Sequence, residues 1–568
     1  MPLPTADQHW PPLYMQPQYD KMAEWAAWYS GEPSRLIQLG RSAVVNGVGV
    51  PWWRFWQRSS AGSDGTSQRA FVHVPLASDL AALSGALLFG EPPKVRVRVA
   101  RADEVNEEEP PPSPLDLLEG KRPEPRKMSP ETPEDKTEKR LLEIIEEGGV
   151  YSRLVEAAES AAALGGVYIY PVWDKDLRDF PIMAVAQSDM AVPEFKHGFL
   201  TAVTFHKVIS EPGANRVLRL VERHEVEGEG ESRKAVVLSG IYEGTTDRLG
   251  SATTLGVGDT FDGKPPEPRV ELPFKELDVE YIPNMKPNRL WRAEHLGIPD
   301  IQGSETLLDA LDETYASWMR DIRLAKARIL VPREFLRPDV DDDNNPVFDL
   351  DQEIYVGMDM EPGMTQDSRS MLAHQFNIRY LEHRETAREF MDRIVSNAGY
   401  SPASLGHSSE GGERATGTAL RVSEHKTLLT LRRKGSWWRP AVANVLYRMM
   451  LIDKEIFESG VEAIRPTVDI SDSIIDNPLE LAQTALALNT AMAASIETRV
   501  RIVNPDWSEA EVDAEVIRIQ NEQDAAKPPP TAGVFGAGDP ATTSQKPGTP
   551  PSKGGPHGTP PPQVKSAK

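Results

Sequence analysis

The chain has 568 residues, a length that predicts about three to five structural units at roughly 100–200 residues per domain. Its 63 basic and 86 acidic residues give a formal net charge of −23, which argues against a protein that reads DNA sequence tightly, because such proteins collect cations to neutralise phosphates. The absence of cysteine excludes disulfides, Fe–S clusters, thiol nucleophiles and thiolate zinc sites.

Two segments have the composition of unfolded chain. Residues 103–138 combine many prolines with many charges, and residues 527–568 are rich in Pro, Gly, Ser and Thr without any periodicity. Neither segment can bury enough apolar area to offset its ordering entropy. We therefore expect an unfolded insertion and an unfolded tail.

The first folded part opens with an aromatic helix over 19–29, in which Met22, Trp25 and Trp28 share one face. A second helix is predicted from Ser78, as N-cap, to residue 89 before a Gly-Glu-Pro-Pro stop. The alternation over 94–99 predicts a half-buried strand.

A helix over 138–163 follows the insertion, and several strands come after it. The strand-like runs are 167–172, 200–209, 217–226 and 235–242. Residues 1–300 are therefore predicted to form an α+β body.

Beyond residue 300 the pattern changes to long helices. Residues 304–330 carry an apolar stripe with helical spacing, and so do residues 372–397. Between them, 331–371 breaks the pattern with strand-like pieces and an acidic turn, Asp341-Asp342-Asp343-Asn344-Asn345-Pro346. The prediction is a helix, a break and a second helix.

A Gly/Ser-rich loop over 398–416 leads into further helices. Those at 416–434 and 437–458 are predicted to be separated by Gly435-Ser436, with Pro440 tolerated in a first helical turn. Trp437-Trp438 are expected to pack in the core. Two more helices are expected to start at Asn477 and, with a capping box, at Ser508.

The search for chemistry is negative. Residues 258–265 have P-loop spacing, but Pro265 stands where the magnesium-binding Ser or Thr is required. The acidic turn has Pro346 where a calcium loop needs glycine, and His383 and His425 fall on charged helix faces where solvated residues are the default. We therefore expect no catalytic residue, cofactor or metal, and a structural or assembly protein rather than an enzyme.

Several stretches resemble one family. They are Trp25-x-x-Trp28-Tyr29-x-Gly31, Arg69–Leu80 running into Leu87-Leu88-Phe89-Gly90-Glu91-Pro92-Pro93, Ala415–Arg421, and Ile496–Thr498 continuing to Glu511. Together, in collinear order over about residues 1–525, they resemble the portal proteins of tailed double-stranded DNA bacteriophages. The likeness is nearest to the portals of siphophage-type phages that infect actinobacteria.

The resemblance implies a portal fold assembled as a ring of about twelve copies. An α/β wing would occupy 1–300, and the other parts of the fold would follow in chain order. They are a first stem helix (301–330), a clip (331–371), a second stem helix (372–397), a tunnel loop with long helices (398–460), a helical crown (461–526) and a tail (527–568).

The resemblance also implies partners and site residues. The ring would sit at one capsid vertex of the virion, after assembly in the host cytoplasm, and would pass genomic double-stranded DNA without sequence specificity. Its protein partners would be the major capsid protein, the scaffold, the large terminase ATPase and a head–tail adaptor, with no membrane involved. The candidates for DNA contact are Gly399, Gly406, Gly411, Gly412, Arg414, Arg421 and Lys426, with Arg432, Arg433 and Lys434 behind them. The candidates for terminase or adaptor contact are Asp341, Asp342, Asp343 and Phe348.

Two other classes stay open. A head–tail adaptor or minor capsid protein would also be a virion structural protein, although such proteins are usually shorter and lack paired long helices. An enzyme such as a large terminase would need an intact P-loop, which Pro265 argues against. We also expect a soluble chain without a standard secretion signal, because it has no apolar run of membrane-spanning length and no basic-then-apolar leader.

Overall fold

In the computed structural model the described residues are 3–32, 34–36, 72–97, 133–213, 216–253, 267–325, 328–330, 372–374, 378–406, 417–470, 478–504, 507 and 509–526. They belong to two compact units, residues 1–476 and 477–568. Helices and antiparallel sheets both build the first unit, which confirms the α+β class. The predicted tail at 527–568, and residues 103–132 of the predicted insertion, lie outside the described residues.

The described helices of the first unit are α1 (Gln16–Ser30), α2 (Leu76–Phe89), α3 (Pro133–Glu147), α4 (Val150–Leu164), α5 (Glu305–Leu324), α6 (Tyr380–Ala398) and α7 (Gly417–Glu455). Its described strands are β1 (Lys94–Arg96), β2 (Gly166–Val172), β3 (Ile182–Gln187), β4 (Ala191–Lys196), β5 (Phe199–Gly213), β6 (Arg216–Glu227), β7 (Lys234–Gly244), β8 (Ser251–Thr253), β9 (Arg269–Glu271), β10 (Glu280–Pro283), β11 (Arg328–Leu330), β12 (Leu372–His374) and β13 (Thr467–Asp469).

The largest sheet is an antiparallel meander in the order β4-β5-β6-β7-β8, with β9 also paired to β7. Its centre is in regular register, with Val221 of β6 opposite Gly240 of β7. A second sheet has the order β10-β2-β3, and two short pairs join β1 to β13 and β11 to β12. The strands at the centre of the large sheet lie where the sequence pattern predicts them, whereas several shorter ones, among them β3, β4 and β10, were not predicted.

Two apolar clusters form most of the core. One gathers α3, α4 and β2 around α7, with Leu154, Trp438 and Met449 fully buried. The other gathers α1 and α2 against α5 and α6, and it contains Trp25 and Leu308. Residues of α2 belong to both clusters, so α2 connects the core around α7 with the core around the α5/α6 pair.

The helix predicted over 138–163 is two helices, because Gly149 adopts the left-handed conformation (φ 61°) between α3 and α4. Helix α3 also begins inside the segment predicted to be unfolded. There Thr137 is buried, and its hydroxyl donates a hydrogen bond to the carbonyl of Glu462 at 3.0 Å. The prediction of unfolded chain is therefore wrong for residues 133–138.

Helix α2 begins at Leu76, two residues before the predicted start. Pro75 occupies the N-cap position, and the hydroxyl of Ser78 donates to the Pro75 carbonyl at 2.8 Å instead of accepting a hydrogen bond from a backbone amide. The predicted N-cap role of Ser78 is wrong.

Helix α7 runs without interruption for 39 residues through the predicted break at Gly435-Ser436 and through Pro440. In a helix interior, glycine costs about 1 kcal/mol and proline about 3 kcal/mol relative to alanine. The buried side chains of Trp438, Val442 and Leu446 lie on both sides of Pro440 in the sequence. Their burial outweighs the local preferences on which the predicted break rested.

The second unit contributes the described helices α8 (Pro478–Thr490), α9 (Ile496–Val503) and α10 (Glu509–Ala526). Helix α9 was not predicted, although Ser495 accepts a hydrogen bond from the Thr498 amide at 3.1 Å as its N-cap. Ser508, the predicted cap of α10, lies outside the described residues. Among the helices of the described ranges, none is both long and apolar enough for a membrane crossing.

Candidate functional site

Helices α5 and α6 form an antiparallel pair. Near the end of α5, the Asp321 carboxylate accepts hydrogen bonds from Arg379 Nε at 3.0 Å and contacts His383 Nε2 at 3.0 Å, both at the start of α6. At the opposite end, Asn397 Nδ2 donates to Ser304 Oγ at 3.3 Å. The chain thus leaves α5 and enters α6 at the same end of the pair, which we call the distal end.

The distal end differs from the predicted helix ends. Residues 328–330 and 372–374 are paired as strands β11 and β12, with Arg328 opposite His374, so the predictions of a helix to 330 and from 372 are wrong there. The segment 331–371, with Asp341, Asp342, Asp343 and Phe348, lies outside the described residues. The chain therefore passes from α5 to β11 before that segment and from β12 to α6 after it.

His383 is not a solvated residue as predicted. Its ring stacks on Trp318 at a centroid distance of 6.1 Å and an interplanar angle of 12°, and its side chain is largely buried against Asp321. Arg379 and His383 together lower the pKa of the Asp321 carboxyl, because both donate hydrogen bonds to its charged form. The three residues fix the alignment of α5 and α6 at the distal end.

At the other end of the pair, a buried polar cluster joins four separate parts of the chain. Lys434 Nζ of α7 donates to the Asp300 carboxylate at 2.8 and 2.9 Å, to Tyr400 Oη at 2.8 Å and to Ser84 Oγ of α2 at 2.7 Å. The Tyr400 hydroxyl donates to Asp300 Oδ2 at 2.8 Å, and Asn284 Nδ2 donates to Asp300 Oδ1 at 2.7 Å. Every donor position of the ammonium is thereby used in a place without solvent access.

The role expected for Lys434 as a DNA contact is wrong, since its side chain is 0% exposed. Burial lowers the pKa of Lys434, while the neighbouring Asp300 carboxylate raises it and so opposes the shift. Burial and Asp300 together raise the pKa of the Tyr400 hydroxyl well above its usual range. The sequence held no signal for this cluster, because Ser84 and Asp300 lie 350 and 134 residues away from Lys434.

Just beyond this cluster, side chains of α7 hold the end of α6. Gly399 follows the helix with φ 96°, and the Thr430 hydroxyl donates to its carbonyl at 2.7 Å. The Lys426 ammonium donates to the carbonyl and, at 2.8 Å, to the hydroxyl of Ser396. Lys426 is exposed, so it combines a helix-capping role with a position on the surface.

Gly406 ends a short 3-10 turn, Pro402–Leu405, in the left-handed conformation (φ 78°). The structure thus brings three of the predicted DNA-channel residues, Gly399, Gly406 and Lys426, to the region where α6 ends and α7 begins. Arg421 belongs to the first turns of α7. Gly411, Gly412 and Arg414 lie outside the described residues.

The two tryptophans of α7 have different environments. Trp438 is buried, as predicted, with its ring edge-on to Phe89 at 5.0 Å. Trp437 is 40% exposed and lies under the Lys286 ammonium, 5.4 Å from the ring centroid, so the prediction that it packs in the core is wrong. Arg432 and Arg433 are exposed on the same helix.

Two buried contacts between a histidine and an aspartate have structural roles. His73 Nδ1 contacts Asp312 at 2.8 Å and His224 Nδ1 contacts Asp278 at 2.6 Å, in each case between distant segments. Within the described ranges, no group of three or more His, Asp or Glu side chains is arranged to hold a metal ion. The polar contacts of the region join helices to one another.

Comparison with known proteins adds little. No family model matches the sequence, and no curated protein matches it. One solved structure, described as the neck of an empty GTA particle computed with C6 symmetry, is 13% identical, and the likeness covers 82% of this chain and 97% of that chain. Its TM-score of 0.34 is too low to carry an argument about the fold or the function of this chain.

Proposed function

We propose that the chain is the portal protein of a tailed double-stranded DNA phage. About twelve copies would form a ring at one capsid vertex, through which the genome is packaged and later ejected. The observation that carries the proposal is the antiparallel α5/α6 pair, with the segment 331–371 between its distal ends. The order of a helix, a small segment and a returning helix is the order of stem, clip and stem that the sequence resemblance implies.

The surface of the pair supports self-association. Five apolar side chains near the distal end are between 38% and 54% exposed: Met319, Ile322, Ile378, Tyr380 and Leu381. Two helices cannot cover such a set by packing only on each other, and contiguous exposed apolar surface marks interaction sites. In a ring, the pairs of neighbouring copies would cover it.

Charge supports a channel that does not hold DNA tightly. Twelve copies at −23 each carry a net charge of about −276, which opposes adhesion of phosphates. Sparse cations such as Arg414, Arg421 and Lys426 would guide the DNA backbone, and each phosphate contact would add affinity that salt weakens. The glycines over 399–412 would let the loop change its shape as DNA slides.

The proposal assigns partners by position. The segment 331–371, with Asp341, Asp342, Asp343 and Phe348, would contact the large terminase during packaging and the head–tail adaptor afterwards. The major capsid protein and the scaffold would surround the ring during assembly in the host cytoplasm, and the mature protein would be part of the virion. We propose no catalytic activity for the chain, so the ATP hydrolysis that drives packaging belongs to the terminase.

Electron microscopy of the purified chain tests the proposal. Negative-stain images should show closed rings with a central hole, and the preparation should hydrolyse no ATP with or without DNA. Compact particles without a hole would contradict the portal assignment and favour a head–tail adaptor. DNA-stimulated ATP hydrolysis would contradict both assignments.

A further inference from the structure

Three cations gather beside α7. Lys286, Arg292 and Arg433 line an open cleft of 430 Å³, which we call the basic cleft, together with His295 and Trp437. Within the described part of the chain, no carboxylate lies within ion-pair distance of any of the three cations, although Glu294 also lines the cleft. In a chain of net charge −23, such a group indicates an anion supplied from outside.

The same chain pairs several of its buried and partly buried cations with carboxylates. Arg448 reaches Glu280 at 2.7 Å, Arg223 reaches Glu225 at 2.8 Å, and Arg140 reaches Asp453 at 2.9 Å. Lys286 is half-buried with no such partner among the described residues, and burial lowers its pKa. An incoming carboxylate would relieve that cost.

The surroundings of the cleft are apolar as well as cationic. Leu429, Arg433 and Trp437 follow one another at four-residue spacing on one stripe of α7, and both Leu429 (52%) and Trp437 (40%) are exposed. Protein interfaces combine buried Trp and Arg with apolar area, whereas exposed leucines contribute nothing to the binding of phosphates. The composition therefore favours a protein partner over a nucleic acid.

We propose that the basic cleft is an interface with a second copy of this chain and receives a carboxylate-bearing segment of that copy. The inference rests on the proposed ring. A closed ring needs a heterologous interface, in which one surface meets a different surface of the next copy. A copy with 86 acidic and 63 basic residues supplies carboxylates in excess, and a cationic face that meets an acidic face can repeat around the whole ring.

A double charge reversal tests the inference. Lys286→Glu with Arg433→Glu should raise the protein concentration needed for half-assembly at least about tenfold, because like charges would then face each other. Lys196→Glu with Arg233→Glu is the matched control, because it makes the same change of charge at two exposed residues outside the cleft and should leave assembly unchanged. The charge-keeping pair Lys286→Arg with Arg433→Lys should still assemble. Equal thermal unfolding curves of the variants show that each one folds.

Each outcome decides a different point. Rings of the charge-reversed variant with wild-type stability would overturn the inference and leave the proposed function standing. A wild-type chain that stays monomeric would contradict the proposed function and remove the inference with it. If the charge-reversed variant forms normal rings but loses an affinity for duplex DNA that the wild type has, the cleft binds nucleic acid and the inference is wrong.

Discussion

Lys434 is the residue on which the junction of α2, α6 and α7 depends. Its ammonium and the Asp300 carboxylate are both removed from water, and the hydration that they lose is replaced by the other charge, the surrounding hydroxyls and the Asn284 amide. Breaking such a pair leaves an uncompensated buried charge, which costs about 3–5 kcal/mol. The hydrogen bond from Tyr400 to the same carboxylate ties the end of α6 to this charge.

We predict that Lys434→Met lowers the free energy of unfolding by about 3–5 kcal/mol, since Asp300 would stay buried without its cation. Chemical denaturation followed by circular dichroism measures the change. Lys426→Met is the control, because this exposed lysine only caps α6 and its loss should cost no more than about 1 kcal/mol. Equal losses of unfolding free energy in the two variants would contradict this account, because the buried Lys434–Asp300 pair would then contribute no more to stability than the exposed Lys426.

His206 makes stability depend on pH. Burial, together with Arg219, lowers its pKa from 6.5 to about 4, so the folded state keeps a neutral imidazole where the unfolded state binds a proton. Stability from this group is therefore present above pH 6.5 and is lost as the pH falls towards 4, by up to about 3 kcal/mol.

The difference in unfolding free energy between wild type and His206→Gln isolates this effect from other titrating groups. At pH 8 the difference reports only the lost packing and the contact with Tyr19. We predict that the advantage of the wild type shrinks steadily between pH 6.5 and pH 4. A difference that stays constant over this range would contradict the account.

At the scale of elements, α7 holds the site together. It contributes Lys434 to the buried cluster, Thr430 and Lys426 to the end of α6, and Trp438 to the core. Because one continuous helix carries all of these contacts, a change of its direction at residue 435 would separate them. The end of α6 and the continuity of α7 can be tested separately.

The end of α6 requires glycine at 399. A Cβ there would lie 2.7 Å from Thr430 Oγ1 in addition to the strain of a positive φ, whereas a Cβ at Gly406 would meet no atom of the described residues within 4 Å. We predict that Gly406→Ala costs about 1–2 kcal/mol from strain alone and that Gly399→Ala costs more. Thermal unfolding of the two variants decides, and an equal loss would place Thr430 farther from Gly399 than the structure has it.

At Gly435 we expect a substitution by alanine to have the opposite effect, because α7 is continuous there. The position is in a helix interior, and within the described ranges no atom lies within 4 Å of an added Cβ. Gly435→Ala should therefore stabilise the protein by about 0.5–1 kcal/mol. A loss of stability would indicate that the helix bends there, as the sequence pattern had suggested.

These elements show what sequence patterns can and cannot predict. The apolar spacing of Met22, Trp25 and Trp28 predicted α1, because local periodicity decides a helix that packs on one face. The break at Gly435-Ser436 was wrong, because local propensity is small beside the burial of residues such as Trp438. The Lys434–Asp300 pair could not be predicted, since nothing in the sequence brings residues 134 positions apart together. Three of the predicted channel residues, Gly399, Gly406 and Lys426, do lie in one region. Gly399 ends α6 and Gly406 ends the 3-10 turn that follows it, both in the left-handed conformation that favours glycine.

At the scale of the whole molecule, the central claim is assembly into a ring. The exposed apolar residues at the distal end of the α5/α6 pair are unfavourable in a lone chain, and so is Lys286, which is half-buried in the basic cleft with no carboxylate of the described residues beside it. A ring of identical copies would cover both surfaces at once, while its net negative charge would keep DNA from adhering.

The most direct test is the mass of the purified chain in solution, measured by mass photometry. The account predicts a dominant species of about 755 kDa, which is twelve copies of 62.9 kDa, or one copy more in rings formed without a capsid. A single species at 62.9 kDa across the accessible concentrations would contradict it.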